Sequence, residues 1–299
     1  MSALAADLDE IAAATGFSGV VRVDRGDETH VVRAYGLADR AHAIPNAPDT
    51  QFATASGTKG LTALVTMRLV EDGELRLETT ARSVLGSDLP LIDERVTIEH
   101  LLAHRSGIGD YLDEELDLDF SDYLMPVPVQ QLATTEAYLD VLDRHPQKFA
   151  PGERFAYSNG GYVVLALIAE RVAKMPFPDL VRDLVCAPAG MRDTAFLRSD
   201  ELPGRAAVGY TQVGEGWRTN VFHLPVCGSG DGGIYTTAAD VAAFWRALFA
   251  GAIVREETLA DMLTARSAPA DGERGYGLAD RAHAIPYTPD TQFATASGT

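Results

Sequence analysis

Apolar and polar positions follow two different periods along this chain, and each change of period marks an element. At the N-terminus, ALAADLDEIAAATG spaces its apolar residues as a short amphipathic helix does and stops at Gly16. Val20, Val21 and Val23, then Val31 and Val32, flank a polar stretch from Asp24 to Glu28. That pattern predicts a hairpin with a longer loop, its second strand ended by Tyr35 and Gly36. A Pro-rich connection, AHAIPNAPDT, follows. In TKGLTALVTMRLVEDGEL the apolar residues fall at 61, 64, 65, 69 and 70, with Gly73 as a stop, which predicts a helix.

From about 75 to 200, helical patterns alternate with Pro and Gly loops. TIEHLLAHRSG predicts a short helix closed by Gly107, and TTEAYLDVLDRH another, capped by Thr134 or Thr135. GYVVLALIAERVAK is apolar on nearly every side up to Glu170, the pattern of a buried helix. In TTAADVAAFWRALFAG, Thr237 and Asp240 are spaced for a capped helix start with a carboxylate at its positive end. Strands first, a long helical middle, then a return to Gly- and β-rich sequence predict an α+β fold. Its antiparallel sheet is flanked by helices and carries an all-helical insertion. The expected division is a discontinuous sheet domain, 1–74 plus 205–299, and a helical region, 75–204.

One repeat interrupts this order. Residues 35–58, YGLADRAHAIPNAPDTQFATASGT, recur at 276–299 with differences only at positions 46/287 and 47/288. Repeat architectures show degenerate similarity over several units. A single near-verbatim copy is instead the mark of a recent duplication, a recombination or a joining of sequences.

Composition narrows the partners more than the fold. The 299 residues, 46% hydrophobic and 23% charged, suffice for one large domain or two coupled ones. A net charge of -18 repels phosphate backbones, so nucleic acid is not an expected partner; a small-molecule or peptide substrate is. The acidic stretch DEELDLDFSD, 113–122, reads as an exposed loop or lid edge. No apolar run has membrane-spanning length, and the N-terminus lacks the basic region of a signal peptide. The chain as it stands is therefore expected to be soluble and cytoplasmic, or exported if a leader was removed. Cys186 and Cys227 read as two core thiols. His100 and His104 are four apart, but Leu101 stands where a zinc-protease pattern needs Glu, so both read as structural and no metal is expected.

Candidate chemistry begins at Ser56 and Lys59, three apart at the start of a predicted helix and so on one face of it. A serine is a weak nucleophile until a base takes its proton, and lysine serves if its environment lowers its pKa. Arginine cannot serve in this way. The chain has 22 arginines and only three lysines, Lys59, Lys148 and Lys174, and no second S-x-x-K. The helix N-terminus also offers N–H groups to a developing oxyanion. Further on, Tyr157, Ser158 and Asn159 form a polar turn before the buried helix. The phenol and amide can relay a proton and bind an amide substrate, or Ser158 or Asn159 caps the helix. Asp231, in GSGDGG, either lines the site or is a solvated turn residue.

Taken together, Ser56-Gly57-Thr58-Lys59 and Tyr157-Ser158-Asn159 resemble the serine β-lactamases and penicillin-binding proteins, in their class C β-lactamase, DD-peptidase and esterase branch. TIEHLLAHRSGI, FAPGERFAYSNGGYVVLALIAERV and GSGDGGIYTTAADVAAFWRAL are similar to the family's flanking segments, and the likeness runs from about 17 to 278. The resemblance implies the β-lactamase/transpeptidase-like fold and a serine hydrolase without cofactor or metal. Ser56 would be acylated by a β-lactam, D-amino-acid peptide or ester. Lys59 would activate it, Tyr157 would shuttle protons, and Asn159 would orient Lys59 and bind the substrate amide. The Ser56 N–H would supply half of the oxyanion hole. The alternatives are a carboxylesterase or D-aminopeptidase on the same fold.

The family's third motif, Lys or His, then Thr or Ser, then Gly, should follow RGYGL at 274–278. The repeat begins there instead; His283-Ala284 is a poor substitute, and Pro286 cannot donate to a ladder. The second copy is expected to replace the native C-terminal end and to add no active site, since Ser297 has no lysine after it. Lost edge strands would expose backbone. These departures imply reduced or altered activity, or at the limit a non-catalytic scaffold.

Overall fold

The computed structural model of the chain describes residues 3–115, 123–267, 275–278, 281–282 and 294–297. The elements run α1 (Ala3–Thr15), β1 (Gly19–Arg25), β2 (Glu28–Tyr35), β3 (Leu37–Asp39), β4 (Ile44–Pro45), β5 (Phe52–Ala53) and α2 (Thr58–Glu71). The helical middle comprises α3 (Ala81–Leu85), α4 (Ile98–Leu102), α5 (Leu139–Leu142), α6 (Asn159–Ala173), α7 (Phe177–Val181) and α8 (Ala187–Ala189). Then come β6 (Tyr210–Val213), β7 (Gly216–Thr219), β8 (Tyr235–Thr236), α9 (Ala238–Phe249), α10 (Glu256–Leu263), β9 (Gly275–Tyr276), β10 (Arg281–Ala282) and β11 (Ala294–Ser297). This is the α+β composition that the changes of period predict.

The largest sheet is antiparallel, in the order β11–β1–β2, with α1 against β2 and α9 against β1. Its hairpin departs from expectation. Asp24 and Glu28 are strand residues, and Arg25 pairs with Glu28 across a two-residue turn, Gly26-Asp27. Gly26, at φ +58, supplies the left-handed backbone that so tight a connection needs, and a register shift between Val23 and Asp24 absorbs the extra polar residue. The outer edge of β1 is not bare: Val20 pairs with Ser297 and Val23 with Ala294. The sequence Ala-Thr-Ala-Ser thus occurs twice in two conformations. At 53–56 it leaves β5 and enters a 3-10 turn; at 294–297 it is a strand. His283, Ala284 and Pro286 lie outside the described residues.

Helices α2 and α6 lie against each other at the centre, with α3 and α4 also on α6. Every residue of α6 from Asn159 to Ala169 is buried, as its all-round apolar pattern requires. Ser158 caps it, accepting the Gly161 N–H at 3.0 Å, and Thr134 rather than Thr135 caps the 3-10 turn that leads into α5. Helix α4 ends at Leu102, earlier than Gly107, because His104 turns left-handed (φ +53) and Arg105 N closes on His100 O. Gly107 has another role, since a Cβ there would sit 2.3 Å from the Phe149 carbonyl oxygen. His100 and Thr97 cap α4 reciprocally, and both cysteines are free and buried. Among the described residues no helix is long and apolar enough to cross a membrane.

One buried cluster joins α2, α4, α6, α9 and α10. Leu167, at the middle of α6, is fully inaccessible. Replacing it by Ala leaves a cavity that the surrounding helices fill only in part. Leu167→Ala is expected to lower the unfolding free energy by about 2–5 kcal/mol. Urea denaturation should show this as a lower midpoint at unchanged slope.

Candidate active site

The strand pair β5–β8 delivers the chain to the start of α2, with Phe52 opposite Thr236 and Ala53 opposite Tyr235. Between them Ala55 is held left-handed at φ +42, a conformation that costs an alanine roughly 1 kcal/mol. Its carbonyl explains how it is kept there. It accepts from Thr58 Oγ1 at 2.8 Å and from Gly233 N at 3.3 Å, and Thr58 Oγ1 in turn accepts from Ile234 N at 3.2 Å. Ser56, exposed, follows in a 3-10 turn and Lys59, buried, lies in the first turn of α2.

Only 3% of Lys59 is accessible, so every proton on its amine must find a protein acceptor. Three are present: Ser56 Oγ at 3.0 Å, Asn159 Oδ1 at 2.8 Å and the Asp231 carbonyl at 2.6 Å. The i,i+3 spacing puts Ser56 and Lys59 together as expected, and the fold brings Asn159, one hundred residues on, to the same nitrogen. Two acceptors, Asn159 Oδ1 and Asp231 O, are carbonyl oxygens that cannot donate. Once Lys59 is neutral, its two remaining N–H groups keep these bonds and its lone pair faces Ser56, the one partner with a proton to give. The arrangement can therefore pass a proton from serine to lysine without any other group moving.

Asn159 is fixed from both ends. Its Nδ2 donates to Leu112 O at 2.9 Å and Glu114 Oε1 at 3.3 Å, which settles which end of the amide faces Lys59. Its backbone N–H and that of Gly160 donate to the Asp110 carboxylate at 2.5 and 3.0 Å, at the positive end of α6. Burial pushes Asp110 up to about 6, against the opposing effect of the N–H groups of Leu112, Gly160 and Asn159 and of the Ser158 side chain. Asp231 is a buried site residue, not a solvated one: besides its carbonyl bond to Lys59, its carboxylate accepts from Tyr111 Oη. Burial raises its pKa and the nearby Lys59 charge opposes this.

Tyr157 is half-buried with its ring face toward Lys59, the ammonium 4.9 Å from the ring centroid. Behind it lies His104, whose ring centroid is 4.5 Å away. His104 is wholly buried; its Nδ1 accepts the Ser158 N–H at 3.0 Å and its Nε2 lies 3.1 Å from Tyr276 Oη. Those bonds fix the neutral tautomer. Burial, and then the charge of Lys59, hold its pKa down at about 3. Four residues with a part here were not singled out in the sequence: Asp110, Tyr111, Glu114 and Tyr276. Their only signals are that Asp110-Tyr111 closes the HRSGIGDY stretch, that Glu114 lies in the acidic stretch 113–122 and that Tyr276 opens the repeat.

Comparison with known proteins came to the same segments. The Beta-lactamase family profile matches residues 4–276. Esterase EstB of Burkholderia gladioli is 32% identical over 279 residues, covering 81% of this chain and 68% of the esterase. A Bacillus subtilis protein, PbpX, whose name describes it as a penicillin-binding protein, is 29% identical over 261 residues and 86% of this chain. The chain spans 61% of that relative's length. The crystal structure of a penicillin-binding protein from Bacillus halodurans superposes with a TM-score of 0.85 at 36% identity, over 91% of this chain and 82% of the other. The fold is thus β-lactamase/transpeptidase-like.

Burial of neutral His104 makes stability depend on pH in a defined window. The folded pKa of about 3 lies below the ordinary 6.5, so the unfolded chain binds the proton more readily and stability falls as pH drops below 6.5. Asp110, shifted up, acts in the opposite sense and is common to both proteins in a comparison with His104→Gln. Gln can accept from Ser158 and donate to Tyr276 without titrating. Between pH 6.5 and 5 the native chain is expected to lose about 1.6 kcal/mol more unfolding free energy than H104Q, measured by urea titration at each pH.

Proposed function

This chain belongs to the beta-lactamase family, and on that premise we propose that it is a serine hydrolase whose nucleophile is Ser56. The observation that carries the proposal is the three-acceptor setting of Lys59, which leaves Ser56 as its only possible proton source. In the proposed cycle neutral Lys59 takes the hydroxyl proton as Ser56 Oγ attacks the carbonyl carbon of the substrate. The Ser56 N–H, in the 3-10 turn that leads into α2, stabilises the oxyanion. Collapse breaks the bond to the leaving oxygen or nitrogen, which departs with the proton held on Lys59, carried by Tyr157. Water then attacks the acyl-enzyme, giving one proton to the same relay, and this proton returns to Ser56 as the acid is released. Asn159 keeps Lys59 in place and turns its Nδ2 toward the acyl side.

Esters, D-amino-acid peptides and β-lactams are the substrate classes for such a site, and the esterase relative favours esters first. A repeat standing in place of the third motif would lower turnover, since one lost oxyanion donor costs about 10²–10³ in rate. The division into a sheet domain, 1–74 plus 205–299, and a helical region, 75–204, belongs to the same proposal.

Incubation with an activated p-nitrophenyl ester, and separately with a penicillin, followed by intact-mass measurement, tests this. A single adduct that disappears in Ser56→Ala is expected, and Lys59→Ala should slow its formation by about 10²–10⁴-fold. An absence of adduct with both reagents would refute the proposal.

A further inference from the structure

The start of α6 has more acceptors than a helix start needs. Ser158 already caps it through the Gly161 N–H. Asp110, from the loop that follows α4, takes two further N–H groups, those of Asn159 at 2.5 Å and Gly160 at 3.0 Å. The same carboxylate accepts Leu112 N at 3.1 Å, and Leu112 O in turn accepts Asn159 Nδ2 at 2.9 Å. Asp110, Leu112 and Asn159 thus close a ring that grips Asn159 by its backbone and by its side-chain nitrogen. The side-chain oxygen is left toward Lys59, 2.8 Å away. Asp110 is only 7% accessible, so these N–H groups stand in for water around its charge.

We infer that Asp110 is a positioning residue for the proposed reaction: as a carboxylate it presents Asn159 Oδ1 to Lys59, and on taking a proton it releases that hold and slows the acylation of Ser56. The inference rests on the proposed roles of Ser56 and Lys59. Its basis is a count of donors. The N–H groups of Leu112, Asn159 and Gly160 can only donate, and a carboxylate has lone pairs enough for all three. A protonated carboxyl turns one oxygen into a donor, which then faces a donor. One side of the ring opens, and Asn159 is free to turn from Lys59. Burial brings this change to about pH 6, above the ordinary carboxylate range. Other ionisable groups face Asp110 from every neighbouring segment. Tyr111 and Tyr123 feel its charge, Glu114 shares Asn159 Nδ2, and Lys59 lies beyond Asn159 Oδ1. His104, neutral in this range, accepts the Ser158 N–H, and His145 packs on Gly109. Asp113 and Glu115, further along the loop, are held by Lys148 and Arg154.

The test is the pH profile of kcat/KM for p-nitrophenyl acetate between about pH 5 and 8, with circular dichroism at each pH to follow folding. In the wild type, activity is expected to fall by about tenfold as pH drops through a step centred near 6. Asp110→Asn cannot accept all three N–H groups at any pH. It should be about tenfold slower than wild type above the step, and the step itself should be gone. Asn159→Ala keeps Asp110 and removes what it positions, so it too should lose the step, and it serves as the test if D110N does not fold. Glu114→Gln removes the other carboxylate on Asn159 and should keep the step. A step that survives in D110N or N159A overturns the inference, as does a step that E114Q abolishes or a wild type that shows none. Ser56→Ala separates the two readings. If it abolishes hydrolysis, any of those results rejects Asp110 alone; if hydrolysis persists in it, or the wild type has none, the reading of Ser56 fails and this inference with it.

Discussion

A buried amine sets the terms for the rest of this molecule. Lys59 is nearly inaccessible, and an ammonium withdrawn from water is tolerated only where each of its protons meets an acceptor. Its three acceptors come from three places: the 3-10 turn before α2, the first residue of α6, and the Gly-rich loop before β8. The meeting of these segments is therefore a condition for burying the lysine at all. Much of the architecture serves that meeting. The contact of α2 with α6 brings two helix N-termini to one point, and the β5–β8 pair fixes where α2 starts.

The Gly-rich loop shows how closely the segments must approach. A Cβ on Gly230 would stand 2.2 Å from the Tyr162 carbonyl of α6, and one on Gly228 would meet the Gly232 carbonyl at 2.3 Å. Gly230 then offers its own carbonyl to Thr62 Oγ1 at 2.6 Å, one turn beyond Lys59 on α2. The loop is thus wedged between the two helices, and only so placed can the Asp231 carbonyl reach Lys59. The polar groups this contact buries are satisfied in turn: Asp231 by Tyr111, Asn159 by Leu112 and Glu114, and the start of α6 by Asp110. Each answers a cost created by the one before, as low-dielectric networks require.

How much of this could be read from the sequence follows from the same geometry. The pairing of Ser56 with Lys59 is local, fixed by helical spacing, and the scarcity of lysine made it conspicuous. The buried course of α6 is also local and legible; a cap by Ser158 or Asn159 stands in the sequence as one of two open readings, and the structure gives it to Ser158. The position of Asp231 is open in the sequence because its surroundings decide between a solvated turn and a site, and these come from α2 and Tyr111, more than a hundred residues away. Asp110 and Glu114 went unmarked for a similar reason. Nothing in HRSGIGDY or in an acidic run says that one carboxylate will cap α6 and another will reach Asn159 Nδ2. The hairpin turn and the end of α4 differ from the periodic pattern at a smaller scale, where single residues, Gly26 and His104, take left-handed conformations that periodicity does not register.

The duplicated phrase separates local from tertiary control most sharply. Ala-Thr-Ala-Ser has no intrinsic preference strong enough to choose its shape, so its neighbours choose. At 53–56 the phrase is drawn into a turn, because α2 follows it and because Ala55 is held left-handed by Thr58 and Gly233. At 294–297 its backbone finds the unpaired edge of β1, and four residues pair there in register. An open strand edge is a template for whatever extended segment is tethered nearby. Copying the serine therefore does not copy the chemistry. The reactivity proposed for Ser56 rests on acceptors contributed to Lys59 by α6 and the Gly-rich loop, whereas the backbone partner of Ser297 is Val20, on the central strand of a sheet.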